Sequence, residues 1–158
     1  MASLTVSSRT FVDGGDLPLS AAHASKGGSD MSPHLAWAGA PAGTQSFAVT
    51  CWDPDAPTTV GFTHWVRVGI PGSVHSLEEG AADPGVDALT DWGETRYGGT
   101  APPKGDPPHR YQFTVYALDA TAEELGLDAR TTYAKLRFLT RGHTLATGTI
   151  TGRFADAG

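Results

Sequence analysis

Three separated stretches of the chain carry carboxylates and imidazoles that could share one chemistry: Asp53-Pro54-Asp55-Ala56-Pro57, His64-Trp65, and Pro102-Pro103-Lys104-Gly105-Asp106-Pro107-Pro108-His109-Arg110-Tyr111. A carboxylate beside an imidazole favours the protonated ring, which donates from both nitrogens. Such a group binds phosphate or carboxylate oxygens through charge-assisted hydrogen bonds. Tyr111 adds a phenolic donor, and the Gly98-Gly99 and Pro102-Pro103 segments offer walls and free backbone N–H groups. Two other chemistries use the same residue types. Asp53, His64 and His109 could work as acid and base on a substrate, or present the ligand set of a facial metal triad. Plainer roles compete with all three. Asp53 opens an Asp-Pro turn and can cap loop amides, and an imidazole can simply satisfy loop backbone.

The strands that must carry these residues argue for a site. A strand alternates its faces, so parity assigns each side chain to core or solvent. In 47–53, Phe47, Val49 and Cys51 share a face that Asp53 continues. In 64–70, parity puts His64 with Val66, Val68 and Ile70. In 109–118, His109 and Tyr111 fall with Phe113, Val115 and Ala117. An Asp, two His and a Tyr are thus each aimed inward at the tip of an apolar strip, which describes a small polar pocket at one end of a β core. If 45–52 and 64–70 pair antiparallel, Asp53 and His64 meet at the same rim. Asp55 is placed to hold the loop, against Arg110. The remaining histidines (His23, His34, His75 and His143) fall in loops or at a helix end and read as solvated.

Composition bounds the rest. The 158 residues suit a single domain spanning 1–158. Glycine (20) and proline (11) are together well above average usage, which with 39% hydrophobic residues indicates a turn-rich β protein rather than disorder. A net charge of −6, with no run of Lys or Arg, speaks against nucleic acid as a partner. No stretch approaches the ~20 apolar residues of a membrane span, and the first residues lack the regions of a secretory signal. The lone Cys51 reads as a buried thiol in a reducing, cytoplasmic setting.

Along the chain, 4–12 reads as an opening strand and 32–37 as a Pro-broken extended segment at a sheet edge. Strong strands follow at 45–52, 64–70, 110–118 and 144–154. A long, weakly patterned stretch at 71–108 is of the kind that often carries function. Within it, a short strand is expected at 74–77 and turns at Asp83-Pro84-Gly85 and Tyr97-Gly98-Gly99. Thr121-Ala122-Glu123-Glu124 is a capping box stopped by Gly126, and a second helix is expected over 131–141, ended by Gly142.

The Asp-Pro-Asp-Ala-Pro, His-Trp and Pro-Pro-Lys-Gly…His-Arg-Tyr motifs, in this order and spacing, resemble the phosphatidylethanolamine-binding protein family, and more narrowly its short bacterial, Raf-kinase-inhibitor-like branch. Ser32-Pro33-His34-Leu35-Ala36-Trp37 and Pro41-Ala42-Gly43-Thr44-Gln45-Ser46-Phe47 match that branch too, so the resemblance runs from about Leu4 to Phe154. It implies a mainly β fold, an antiparallel β-sandwich with two short helices and a small anion pocket at one end. Carried over by position, the ligand-binding residues are Asp53, Asp55, Pro57, His64, Gly99, Pro102, His109 and Tyr111. A cis peptide is expected at Ala56–Pro57. Phe62 stands where many members carry Trp, and no counterpart of the eukaryotic C-terminal helix follows Phe154. The resemblance therefore carries the fold and leaves open the lipid and kinase partners tied to the eukaryotic members.

The function expected is that of a cytoplasmic binding protein for a small anion or phosphorylated ligand, with a regulatory or inhibitor role. It needs no cofactor or metal. The alternative is an isomerase or hydrolase using the Asp/His pocket for acid–base work, although no nucleophile motif or cofactor loop accompanies it. A protein partner, or a second copy of the chain, is left open.

Overall fold

The computed structural model describes residues 2–157. Its strands are β1 (Ala2–Ser3), β2 (Thr5–Ser7), β3 (Leu35–Ala38), β4 (Ser46–Asp53), β5 (Phe62–Pro71), β6 (Ser76–Leu77), β7 (Val86–Asp87), β8 (His109–Leu118) and β9 (Thr144–Phe154). Two helices, α1 (Ala122–Leu125) and α2 (Tyr133–Leu139), lie between β8 and β9. The strands form a six-stranded sheet in the order β1-β9-β8-β4-β5-β7 and a three-stranded sheet in the order β2-β3-β6. All pairs are antiparallel except β1 with β9, so the sandwich is mixed at one edge.

The opening strand expected over 4–12 is split. Leu4 donates its N–H to the Thr147 carbonyl, and beyond it the chain crosses to the small sheet as β2. There the strand stops early, because the Ser8 hydroxyl accepts the Thr10 N–H and turns the backbone. The segment expected at a sheet edge is instead β3, the centre of the small sheet. Pro33 lies just outside the strand, so its missing N–H costs no ladder bond.

Apolar side chains fill both sides of the large sheet. Between the sheets, Phe47, Val49 and Cys51 of β4 and Tyr111, Phe113 and Val115 of β8 pack with Leu35 and Trp37 of β3. On the outer face, Ala48, Val66, Val68, Tyr116 and Leu118 are covered by Leu127 and by Leu136 of α2. Alternation therefore holds without interruption along β4 and β8, and it delivers Asp53, His109 and Tyr111 to the inner side. All three are almost completely buried.

In β5 the simple alternation fails. Cys51 faces Trp65 but Trp52 faces Thr63, so His64 is the extra residue of a β-bulge. A second irregularity, between Phe47/Ile70 and Val49/Arg67, contains Gly69 at φ +72°. Val66 and Val68 consequently face the helices, while Trp65 and Ile70 face the inner core. The expected shared face of His64, Val66, Val68 and Ile70 does not exist.

The helices follow their local signals. Thr121 and Glu124 form the reciprocal capping box, and Gly126 ends α1 at φ +73°. Thr132 caps α2 by accepting the Lys135 N–H and Thr140 closes its other end by donating its N–H to the Leu136 carbonyl, so the helix is shorter than 131–141 at both ends. No helix among the described residues is long and apolar enough to cross a membrane.

Candidate functional site

At one end of the large sheet, β4 finishes and β5 and β8 begin. The register pairs Asp53 with Phe62 and Trp52 with both Thr63 and Gln112, so the three motifs converge on one rim. Between them opens a cavity of about 140 Å³, lined by Asp53, Ala56, Pro57, Thr58, Phe62, His64, Trp92, Ala101, Pro103 and His109.

Asp53 is the hub. Its Oδ1 accepts the Asp55 N–H at 2.8 Å, and its Oδ2 accepts from His109 Nδ1 at 2.7 Å. It thus caps the loop and partners an imidazole at once, and the two roles weighed from sequence coexist. The second nitrogen of His109, Nε2, faces Asp106 Oδ2 at 3.0 Å. A carboxylate on each side requires a proton on each nitrogen, so the ring in this arrangement is an imidazolium. Burial acts to lower the His109 pKa, but the hydrogen bonds to Asp53 and Asp106 outweigh it and hold it above the ordinary value.

His64 is the opposite case. Its Nδ1 donates to the Gly98 carbonyl at 2.9 Å. Burial holds its pKa below the ordinary value, against the Gly98 carbonyl and the Asp53 charge, so the ring is neutral with Nε2 as its acceptor. The expectation that both imidazoles carry charge is corrected for His64: the ring is 3% exposed, and the desolvation cost exceeds the help of a carboxylate that does not touch it.

Tyr111 lies behind the pocket, its ring centroid 5.3 Å from His64 and 6.5 Å from His109. Its hydroxyl is buried on the Asp53 side of the ring, and burial followed by the Asp53 carboxylate pushes the phenol pKa up, keeping it a donor. The mouth is aromatic. Phe62 and Trp92 meet edge to face at 5.1 Å, and Trp92 stacks on His23 at 4.3 Å.

Of the residues expected in the pocket, Asp53, Pro57, His64 and His109 line it. Asp55 turns away to grip Arg110, accepting from its backbone N–H at 2.8 Å and from its Nε and Nη2 at 3.0 and 2.8 Å. This is the loop-holding role its sequence position suggested. Asp55 lines a neighbouring groove with Asp106 and Arg153. Gly99 and Pro102 are buried beside the cavity rather than lining it. The free N–H groups expected at Gly98 and Gly99 are engaged, with the His64 carbonyl and with Asp30 Oδ1. Both positions need glycine for space: a Cβ at Gly98 would fall 2.1 Å from Trp92 and one at Gly99 2.2 Å from the Ala22 backbone. Ala56–Pro57 is trans, and the cis bond among the described residues is Asp83–Pro84. The bend at 53–57 is made instead by the Asp53 carboxylate on the Asp55 amide.

A metal triad of Asp53, His64 and His109 is not formed. Both nitrogens of His109 face carboxylates and Nδ1 of His64 faces a carbonyl, so His109 has no lone pair to offer. No group of three or more His, Cys, Asp or Glu among the described residues is placed to hold a metal.

Two features of the site, one at the cavity and one beside it, escaped the sequence. Trp92 sits in the weakly patterned 71–108 stretch, where no periodicity marks it. Asp106 had a signal, since it stands three residues before His109 in a tight Gly-Asp-Pro-Pro turn. His34, read as solvated, is 5% exposed, and its Nδ1 accepts the Arg9 N–H.

Known proteins place this geometry in context. The phosphatidylethanolamine-binding protein family pattern matches residues 7–155. The UPF0098 protein YbhB of Escherichia coli K12 is 47% identical over 135 residues, which is 81% of this chain and 84% of YbhB. The crystal structure of E. coli YbcL, described as a member of the mammalian PEBP family, superposes with a TM-score of 0.88 at 37% identity, covering 98% of this chain and 99% of YbcL. A phosphatidylethanolamine-binding protein homologue from Chlamydia trachomatis superposes with a TM-score of 0.85 at 29% identity, covering 98% of both chains. The converging loops, the two-sheet fold and these matches agree, and the chain belongs to the phosphatidylethanolamine-binding protein family.

Proposed function

We propose that the protein binds a small anion, or the phosphate group of a larger ligand, in the pocket between Asp53, His64 and His109. His109 carries this reading. Its Nε2 already holds a carboxylate oxygen at 3.0 Å, and Asp53 behind it maintains the charge. An exchangeable oxygen anion on a preorganised imidazolium is what such a site recognises. Pro57, Phe62 and Trp92 form an apolar entrance that raises the strength of polar contacts inside by excluding water. The ligand is held rather than transformed, in a binding module with a regulatory role. Residence in the cytoplasm goes with this reading, since Cys51 is buried and unpaired.

His109→Asn tests the proposal. The shorter amide keeps a donor for Asp53 and removes both Nε2 and the charge. Phosphate binding followed by calorimetry is expected in the native protein and absent in the variant, with the circular dichroism spectrum retained. Equal affinity in the two proteins would refute it. One observation favours the acid–base alternative: a neutral imidazole and a charged one share a single cavity, which is how paired acid and base groups are divided. Isomerase or hydrolase turnover that is lost in His64→Gln would establish that reading instead.

A further inference from the structure

We infer that Asp106 is a built-in competitor for the anion: its carboxylate occupies the Nε2 position of His109 that an incoming oxygen anion would take, and binding requires it to swing out. The inference rests on the anion reading above.

The geometry separates Asp106 from the other carboxylates of the rim. Asp53 is 3% exposed and engaged through both oxygens, so it cannot leave. Asp55 is committed to Arg110 through three hydrogen bonds. Asp106 is 40% exposed, and among the described residues its contact with His109 is the one ion pair it makes. Its backbone, by contrast, is fixed. The Asp106 N–H donates to the Pro103 carbonyl at 3.1 Å, the adjacent Gly105 N–H donates to the Asp156 carbonyl at 3.0 Å, and Pro107 and Pro108 follow. A rotation of one short, half-exposed side chain about a held backbone therefore exposes Nε2 without moving the loop. Asp106 also lines the neighbouring groove, where Arg110 is held by Asp55 and Arg153 gives the displaced carboxylate a basic group to turn toward.

The consequence for affinity is set by mass action. A tethered carboxylate competes at a high effective concentration, so the observed affinity is the intrinsic one reduced by the fraction of molecules in which Asp106 is out. The role of Asp106 then differs from that of Asp53. Removing Asp53 takes the larger, buried share of charge support from the ring, whereas removing Asp106 takes a lesser, half-exposed share and unblocks Nε2.

The test is calorimetric titration of the native protein, Asp106→Ala and Asp106→Asn with inorganic phosphate, together with the 13Cγ resonance of Asp106 in the native protein. Both variants are expected to bind phosphate about tenfold more tightly, as for a blocked state populated about nine parts in ten. The Asp106 carboxyl resonance is expected to move with the same saturation curve. Binding by the variants alone would support the inference in its strongest form. If native protein and variants bind phosphate equally and the Asp106 resonance stays still, the inference fails while the anion reading stands. If phosphate binds to none of the three, both fail.

Discussion

The β5 wall and the β8 wall of the pocket each present one histidine, and the two rings are held in opposite states. His109 reaches the cavity by unbroken alternation along β8 and is gripped by carboxylates on both nitrogens. His64 reaches it through a bulge and meets a backbone carbonyl. Both are 3% exposed. His64 has only backbone carbonyls and a distant charge to set against its desolvation, whereas His109 has a carboxylate on each nitrogen, and that balance decides the charge of each ring. A charged ring and a neutral ring thus face one small cavity.

The comparison can be broken from either wall. The largest effect is expected for Asp53→Ala, which strips His109 of its buried partner. Urea unfolding should show a loss of about 3–5 kcal/mol, and the His109 pKa should fall toward that of His64. His64→Ala comes next, with a loss of about 2 kcal/mol from the vacated space and the unpaired Gly98 carbonyl. Here the His109 pKa should stay raised, because no hydrogen bond joins the two rings. Asp55→Ala should be the mildest. The Asp55–Arg110 pair is solvent-accessible, so its removal should leave the urea midpoint within error and both histidine pKa values unchanged. A large fall in the His109 pKa in this last variant would mean that the charge is set by the field of the whole rim rather than by contact.

How much of this was legible in the chain depended on the strand. In β4 and β8 the period-two pattern is intact, so Asp53, His109 and Tyr111 could be aimed at the core from residue order alone. In β5 the inward aim of His64 was reached through a pattern that the structure does not keep. Two irregularities separate His64 from Ile70, each shifting the alternation by one, so their effects cancel between those residues but not at Val66 and Val68. Glycine at 69 marks the second bulge; nothing local marks the first. The Thr121–Glu124 capping box was readable because its partners are three residues apart. Trp92 was not, since its place over Gly98 depends on how a long loop folds back across β5. Asp106 was hidden differently. Its spacing from His109 was visible, but that it takes the nitrogen left over by Asp53 depends on the fold of the 102–108 loop.

The two rings also set opposite dependences of stability on pH. The pKa of His109 is raised on folding, so its contribution is complete below its unfolded value of about 6.5 and is lost as pH rises through the folded value. The pKa of His64 is lowered, so its contribution is complete above about 6.5 and is lost as pH falls through the folded value. The most direct test of the account is a side-chain proton–nitrogen NMR titration of both histidines between about pH 5 and 9, without and with phosphate. The account predicts that His109 keeps both ring protons above about pH 6.5, that His64 is a neutral Nδ1–H tautomer there, and that phosphate gives a saturable shift at His109. His64 losing its proton at a higher pH than His109, or phosphate leaving both rings unmoved, would contradict it.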